Sequence, residues 1–478
     1  MPTDRSASPS NELKDCSQPK VREPPEGNST AEPRPASGHR ENGGGCDPGS
    51  EPSPRLGFMQ ALKAAKRAQQ QHPGHARAVS PRRDAKRKAH SLIDKVYRWE
   101  NLVTAWKRVR ANKGAHGLDR VTIRQFEAAW EMHLREIQRK LMERRYTPKP
   151  VLRAYLPKPG EPKKRRPIGI PVVADRIVEQ ALLLVVDPIF DPEMSERSYG
   201  FRKGRNARHA IAAAIADAKE GYRSVLDADI TSFFDQIDHN VAMSCVRARI
   251  ADGRVLELIE AFLKAGVMEN GVVTTSAVGT PQGGVISPWI ANLVLDVLDK
   301  AIGSKGWRHV RYADDFVVLC RSPEQAKEAL AYVKEVLGEL KLSLNETKTR
   351  LTDFQQGFDF LGFRFRRYRL GIRTKAIERF KERVREVTRR QQGRNVDAVI
   401  ADLNPVLRGW AGYFGAGEVT RTLTLLDSWV RMRIRAFRLK RRCDNDNWRL
   451  PNKRLAKWGL LSLQECRPAI RISYVRAK

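Results

Sequence analysis

The chain has 478 residues and carries 88 Lys and Arg against 55 Asp and Glu, a formal charge of +33. A length of this order accommodates roughly two to four domains with ample core, and such an excess of cations points to a polyanionic partner, nucleic acid first and an anionic membrane surface second. No apolar run approaches the roughly eighteen residues of a membrane span, the N-terminus lacks the apolar core of a signal peptide, and Cys16, Cys46, Cys245, Cys320, Cys443 and Cys466 form no CxxC pair, so reduced thiols in a cytosolic compartment fit better than a zinc knuckle or a disulfide framework.

Residues 1–57 contain no Phe, Trp or Tyr and are rich in Pro, Ser, Gly, Glu and Asp. Such a segment cannot bury enough apolar surface to offset its chain entropy, and is expected to be disordered. Residues 58–90 turn basic, with Lys63, Lys66, Arg67, Arg82, Arg83, Lys86, Arg87 and Lys88. They read either as a solvated linker or as a basic arm for RNA, with any helix from Phe58 interrupted at Pro73 and Pro81. The spacing of Leu92, Val96, Leu102, Trp106 and Val109 predicts a helix, and 126–141 predicts a second. A strand is expected over 151–156. The basic loops at Lys158-Pro159-Gly160 and Arg165-Arg166-Pro167 could hold a triphosphate or an RNA backbone. A buried helix is expected over 175–186, followed by the Gly-rich basic loop 198–205, which suits phosphates.

A β-prone run ends at Asp229, and a helix is expected after Thr231 or Ser232, either of which could cap it. Asp229 would then face a cleft from a strand end. Asp227 shares its strand face by period-two alternation, so spacing does not choose between them. Asp235 and Asp238 fit the helix and its N-terminal charge balance. After a helix over 255–264, the glycines of 279–288 let backbone approach a ligand closely, and Gln282 offers both donor and acceptor. An apolar helix over 289–298 leads to a predicted hairpin over 310–319 with Asp314 and Asp315 at its tip. An Asp-Asp turn alone is an ordinary solvated hairpin end. Adjacent carboxylates repel unless cations neutralise them, and Mg²⁺ is suited to that. A two-metal site for in-line phosphoryl displacement needs a further carboxylate, which the run ending at Asp229 can supply. An amphipathic helix over 326–340 and one strand over 358–365 follow. From Ile377 the pattern becomes helical and basic, with helices expected over 378–390, 399–414 and 422–442. Residues 431–442 hold seven Arg or Lys and no acid, a repulsion that favours a polyanion partner.

Tyr312-Ala313-Asp314-Asp315, Asp229-Ile230-Thr231-Ser232-Phe233-Phe234-Asp235 and Thr280-Pro281-Gln282-Gly283-Gly284 stand in the order of reverse-transcriptase sequence blocks. Arg166-Pro167-Ile168-Gly169-Ile170-Pro171, Tyr199-Gly200-Phe201-Arg202-Lys203-Gly204-Arg205 and Phe360-Leu361-Gly362-Phe363 match further blocks, and Leu403-Asn404-Pro405-Val406-Leu407-Arg408-Gly409-Trp410-Ala411-Gly412-Tyr413-Phe414 is similar to the maturase segment. From Ser91 onward the chain resembles a bacterial group II intron-encoded reverse transcriptase and maturase.

The resemblance implies an α+β right-hand polymerase: fingers and palm over 91–368, a helical thumb or maturase domain over 369–442, and a basic C-terminal segment, 443–478, with room for a short DNA-binding remnant. It makes Asp229, Asp314 and Asp315 the acids that bind two Mg²⁺ ions, with the Ile230 carbonyl as an extra ligand and Asp227 in a structural role. Phe234 would block a 2′-OH, Lys158 and Arg166 would hold the triphosphate, Gln282 would line the nucleotide pocket, and Lys348 would assist the leaving pyrophosphate. Arg202, Lys203, Arg205, Arg408, Arg431, Arg433, Arg435, Arg438, Lys440, Arg441 and Arg442 would meet nucleic acid. The implied partners are group II intron RNA, an RNA template with a DNA primer, dNTPs and target DNA, with no membrane, in a cytoplasmic, nucleoid-associated ribonucleoprotein. The short stretch after Arg442 shows no Cys/His cluster of an HNH endonuclease, so integration is expected to use other primers, such as nicks at replication forks. The long N-terminus has no counterpart in the family pattern. Rival readings are an RNA-binding splicing cofactor with dispensable polymerase activity and a domesticated relative in DNA repair or phage defence. A viral RNA-dependent RNA polymerase shares the acids, but Phe234 argues for dNTPs.

Overall fold

The computed structural model describes residues 88–158, 161–275, 278–280, 282–440, 446–469 and 472, without the side chains of 158 and 161–164. The expectations for 1–57 and for 58–87 lie outside the described residues. The predicted first helix is two, Ile93–Tyr97 and Trp99–Ala111, broken where Arg98 is extended (φ −54°, ψ 134°). The second also divides, into Ile123–Ala128 and Trp130–Met142, around Ala129. A capping box between Thr122 and Gln125 starts it earlier than its apolar pattern suggested. Each break precedes a tryptophan, and the indoles of Trp99 and Trp130 stack with centroids 6.2 Å apart. Here packing between helices overrides local propensity.

The described strands are β1 (Val151–Lys158), β2 (Glu161–Ile170), β3 (Ser224–Asp229), β4 (Val267–Glu269), β5 (Val272–Thr274), β6 (Arg308–Tyr312), β7 (Asp315–Cys320), β8 (Arg350–Asp353), β9 (Phe358–Phe360), β10 (Phe363–Arg366) and β11 (Arg369–Ile372). They form three sheets, ordered β2-β1-β4-β5, β6-β7-β3-β8 and β11-β10-β9. In the second sheet all pairings are antiparallel, and β3 lies between β7 and β8.

Period-two alternation sends the side chains of β3 and β7 into two different cores. Leu226, Ala228, Phe316 and Val318 join the large core that includes the apolar helices Val173–Phe190 and Ser287–Ser304. Val225, Val317 and Leu319 pack with the alanine-rich face of helix Ala207–Lys219. Both faces of the sheet are thus covered. Asp227, Asp229 and Asp315 alternate in phase with Val225 and Val317, so they share one face.

The expected single strand over 358–365 is a hairpin instead. Leu361 (φ 50°) and Gly362 (φ 80°) make a two-residue turn with Phe360 opposite Phe363. Positive φ at both turn residues matches the right-handed twist of the flanking strands. Beyond β11, helices Thr374–Val387, Val396–Phe414 and Thr420–Leu439 enclose a core of their own around Leu403, Leu407, Leu423 and Val430. The third of these helices ends at Leu439, where Lys440 turns left-handed (φ 55°); Arg441 and Arg442 of the expected helix lie outside the described residues. Among the described residues no helix is long and apolar enough to cross a membrane.

Glu179, buried on helix Val173–Phe190, accepts a hydrogen bond from the Val285 amide at 2.8 Å and so ties that helix to the glycine loop before Ser287. Burial pushes its carboxyl up to about 8. Folding therefore favours the neutral acid, whose contribution is intact below pH ~4.3, the unfolded value, and is lost as pH rises through about 8. Glu179→Gln keeps the acceptor and cannot ionise. Its melting temperature should gain on the wild type between pH 5 and pH 9, as thermal scans at the two pH values would show.

Candidate active site

The antiparallel register of β3 and β7 sets Asp229 directly opposite Asp315. Tyr312 pairs with Asp315, so Ala313 and Asp314 form the turn. The expectation of both acids at the tip is therefore corrected: Asp314 lies in the turn, and Asp315 is the first residue of β7. Burial, then the negative charges of Asp227, Asp314 and Asp229, push the Asp315 carboxyl up to about 7. Because Asp315 keeps an exposed surface, carboxylate crowding is the firmer of these causes. The Leu361 amide of the β9–β10 turn opposes the shift by donating to Asp315, and Tyr413 Oη donates to the Leu361 carbonyl at 2.9 Å.

Two cations already answer the acids. Lys348 Nζ lies 2.9 Å from Asp229 Oδ2. Arg350, opposite Asp227 across β3 and β8, donates from Nε and Nη2 to Asp227 Oδ2 at 2.9 and 2.8 Å. The segment before Lys348 is fastened to the end of β3, with the Asn345 amide donating to the Asp229 carbonyl at 2.7 Å and the Thr231 amide to the Ser343 carbonyl at 2.9 Å. Ile230 is buried and bridges to Leu344. Among the described residues no three His, Cys, Asp or Glu groups stand close enough to chelate an ion as they are. The donor chemistry nevertheless fits a hard cation, since the acids offer oxygen only and crowd one another, and Lys348 is a cation seated on one of them.

Beside the acids, Phe234 is half-buried on the single-turn helix Phe233–Gln236. Ser232 precedes it in the left-handed region and makes no side-chain cap; Asp238 caps the next helix, His239–Arg247, by accepting from the Asn240 and Val241 amides. The Thr280 amide donates to the Phe234 carbonyl at 2.8 Å, and the Gly169 amide to the Gln282 carbonyl at 2.7 Å. A Cβ at Gly283 (φ 125°) would collide with the Gly169 carbonyl oxygen. The glycine loop is thus laced to Phe234 on one side and to β2 on the other. Arg166 is exposed on β2; the Lys158 side chain lies outside the described residues.

Residues 156–365 match the family described as reverse transcriptase (RNA-dependent DNA polymerase), and residues 377–457 match the group II intron maturase-specific domain. The chain belongs to the group II intron-encoded reverse transcriptase and maturase family. It is 33% identical to Protein YkfC of Escherichia coli (strain K12), over 56% of this chain and 81% of that protein. It is 29% identical to the group II intron-encoded protein LtrA of Lactococcus lactis subsp. cremoris, over 56% of this chain and 55% of LtrA. Nuclear intron maturase 1, mitochondrial, of Arabidopsis thaliana is 36% identical over 20% of this chain and 13% of that protein.

Within this reverse transcriptase and maturase chain, the cations expected at nucleic acid differ in their surroundings. Lys203, Arg408 and Arg438 are exposed. Arg202 and Arg435 are corrections: both are buried, Arg202 on Asp191 and the Ser195 and Ser198 carbonyls, Arg435 on the Leu450 carbonyl and Asn452. A guanidinium spent on such partners holds chain segments together rather than meeting a phosphate. Arg205 donates to the Glu196 carbonyl, Arg433 to Thr388, and Lys440 to the Arg390 carbonyl. Arg431 is half-buried, and Arg441 and Arg442 lie outside the described residues. Leu361, Tyr413 and Arg350 were not singled out from sequence as site residues. The Leu361-Gly362 pair between phenylalanines was the available signal, since it reads as a turn as readily as a strand centre.

Gly200 lies under the acidic turn, where a Cβ would collide with the Ala313 backbone nitrogen. Gly200→Ala should cost roughly 1–3 kcal/mol in urea unfolding, as overpacking against backbone does, and should lower primer extension more than primer–template binding.

Proposed function

We propose that this protein is an RNA-directed DNA polymerase of a group II intron, which copies RNA by two-metal nucleotidyl transfer and binds intron RNA to assist its splicing. The observation that carries the reading is the register of Asp229 against Asp315, with Asp314 in the adjoining turn, together with a loop that joins Phe234, which follows Asp229 in the chain, to β2. The maturase-specific match supports the splicing role. The fingers and palm are assigned to 91–368 and the thumb to 369–442. Intron RNA, a template–primer duplex, dNTPs and target DNA are the assigned partners, in a cytoplasmic ribonucleoprotein.

Asp229, Asp314 and Asp315, with the Ile230 carbonyl, would hold two Mg²⁺ ions, which supply activation of the primer 3′-oxygen and charge neutralisation of the leaving pyrophosphate. The remaining work falls to the protein's own groups and is chiefly positioning and charge complementarity. Lys158 and Arg166 orient the triphosphate, and Gln282 lines the nucleotide pocket. The Phe234 ring fills the space of a ribose 2′-OH. Lys348, once released from Asp229, offers its charge to the pyrophosphate.

Primer extension on an RNA template tests the reading. Extension with dNTPs should vanish in Asp314→Ala while RNA affinity stays within about twofold, since phosphate contacts elsewhere dominate that affinity. Tight RNA binding by an inactive wild type would move the assignment to a splicing cofactor. Phe234→Ala should raise incorporation of rNTPs relative to dNTPs on the order of tenfold, because only ring bulk excludes the extra hydroxyl.

A further inference from the structure

Arg311, the fourth residue of β6 and two before Ala313 of the acidic turn, is fully buried at 0% exposure. A charged side chain is expensive there unless every donor is met. Its Nε lies 2.9 and 3.0 Å from the two oxygens of Asp299, and its Nη2 lies 2.6 Å from Asp299 Oδ2. Nη1 donates in two directions, to Asn292 Oδ1 at 2.9 Å and to the Ala313 carbonyl at 3.0 Å. Asn292 in turn donates from Nδ2 to the Gly200 carbonyl at 2.9 Å. Asn292 and Asp299 both stand on helix Ser287–Ser304. The Arg311 backbone is held as well, its amide donating to the Arg197 carbonyl at 3.0 Å and its carbonyl accepting from the Tyr199 amide at 2.9 Å.

Ala313 is the residue that needs holding. It adopts φ 61° without being glycine, a left-handed conformation that is strained for an L-residue. Its carbonyl is met by Arg311, and Gly200 packs against its nitrogen. Asp314 is the next residue, so the turn's conformation sets where that carboxylate projects.

We propose that Arg311 is a positioning residue for the acidic turn: with Asp299 and Asn292 it fixes the Ala313 carbonyl, and so the placement of Asp314 and Asp315 for divalent cations. The fork geometry of guanidinium is essential to the role. It reaches Asp299, Asn292 and Ala313 at once, whereas a lysine ammonium on a flexible stem serves fewer of them. The inference rests on the polymerase reading only for its activity arm, because cation binding is read directly.

The test compares the wild type with Arg311→Lys and with the apolar pair Arg311→Met/Asp299→Leu, which removes both buried charges together and so can keep the fold. Mn²⁺ binding to the free protein by electron paramagnetic resonance, template–primer affinity by anisotropy, and kcat and KM of extension are measured on each folded variant. Mn²⁺ affinity and kcat should each fall about tenfold or more in both variants, as losses of ligand-orienting groups do, with template–primer affinity unchanged. Wild-type Mn²⁺ affinity and kcat in the apolar pair would overturn the proposal and leave the ion pair a purely structural one. Should that pair fail to fold, the same values in Arg311→Lys would overturn it. A wild type that binds Mn²⁺ but extends no primer would sink the polymerase reading, and the Mn²⁺ comparison would still decide the inference.

Discussion

Carboxylate repulsion at the ends of β3 and β7 is the constraint around which the site is built. Burial, with the negative charges of Asp227, Asp314 and Asp229 beside it, pushes the Asp315 carboxyl up to about 7. Such a cluster persists only where the backbone is held from several sides and cations stand ready. Lys348 and Arg350 provide the charge. The Leu361 amide provides a dipole from a different sheet, and Tyr413, on the helix Val396–Phe414, braces the following peptide by donating to the Leu361 carbonyl. The maturase-specific region therefore reaches the acids through one hydrogen-bonded turn.

The covering of both sheet faces follows the same logic. With Leu226, Ala228 and Phe316 in one core and Val225, Val317 and Leu319 in another, β3 and β7 cannot slip by one residue without sending each side-chain set to the opposite face and turning Asp227 toward the large core. That rigidity fixes Asp229 against Asp315. The glycine loop is tied in similarly, by backbone hydrogen bonds to Phe234 and to β2 and by the buried Glu179. The elements proposed to meet a nucleotide are thereby joined to one another, which is the preorganisation that phosphoryl transfer rewards.

The net charge of +33 does not translate residue by residue into nucleic-acid contacts. Arg202, Arg311 and Arg435 are buried and satisfied by carbonyls, carboxylates or amides of the protein itself. Lys203, Arg408 and Arg438 remain at the surface. Guanidinium groups thus serve in this fold as internal cross-links as well as surface charge, because each can join several chain segments at once.

Sequence by itself determined the elements with strong period and the motifs whose chemistry is local. The apolar helices, the β-prone run ending at Asp229, the acidic pair after Tyr312, the glycine loop around Gln282 and their order sufficed to indicate a reverse-transcriptase fold. Helix breaks at Arg98 and Ala129 were not legible, since packing of Trp99 on Trp130 decided them, and the Leu361-Gly362 pair, readable as turn or strand centre alike, was resolved by the pairing of Phe360 with Phe363. Nor could spacing separate Asp227 from Asp229, which share one face. Tertiary structure separated them by pairing Asp227 with Arg350 across β8 and leaving Asp229 at the strand end opposite Asp315. Which arginines face inward was likewise settled only by the fold, because a side chain's partners come from segments distant in sequence, and no local pattern encodes them.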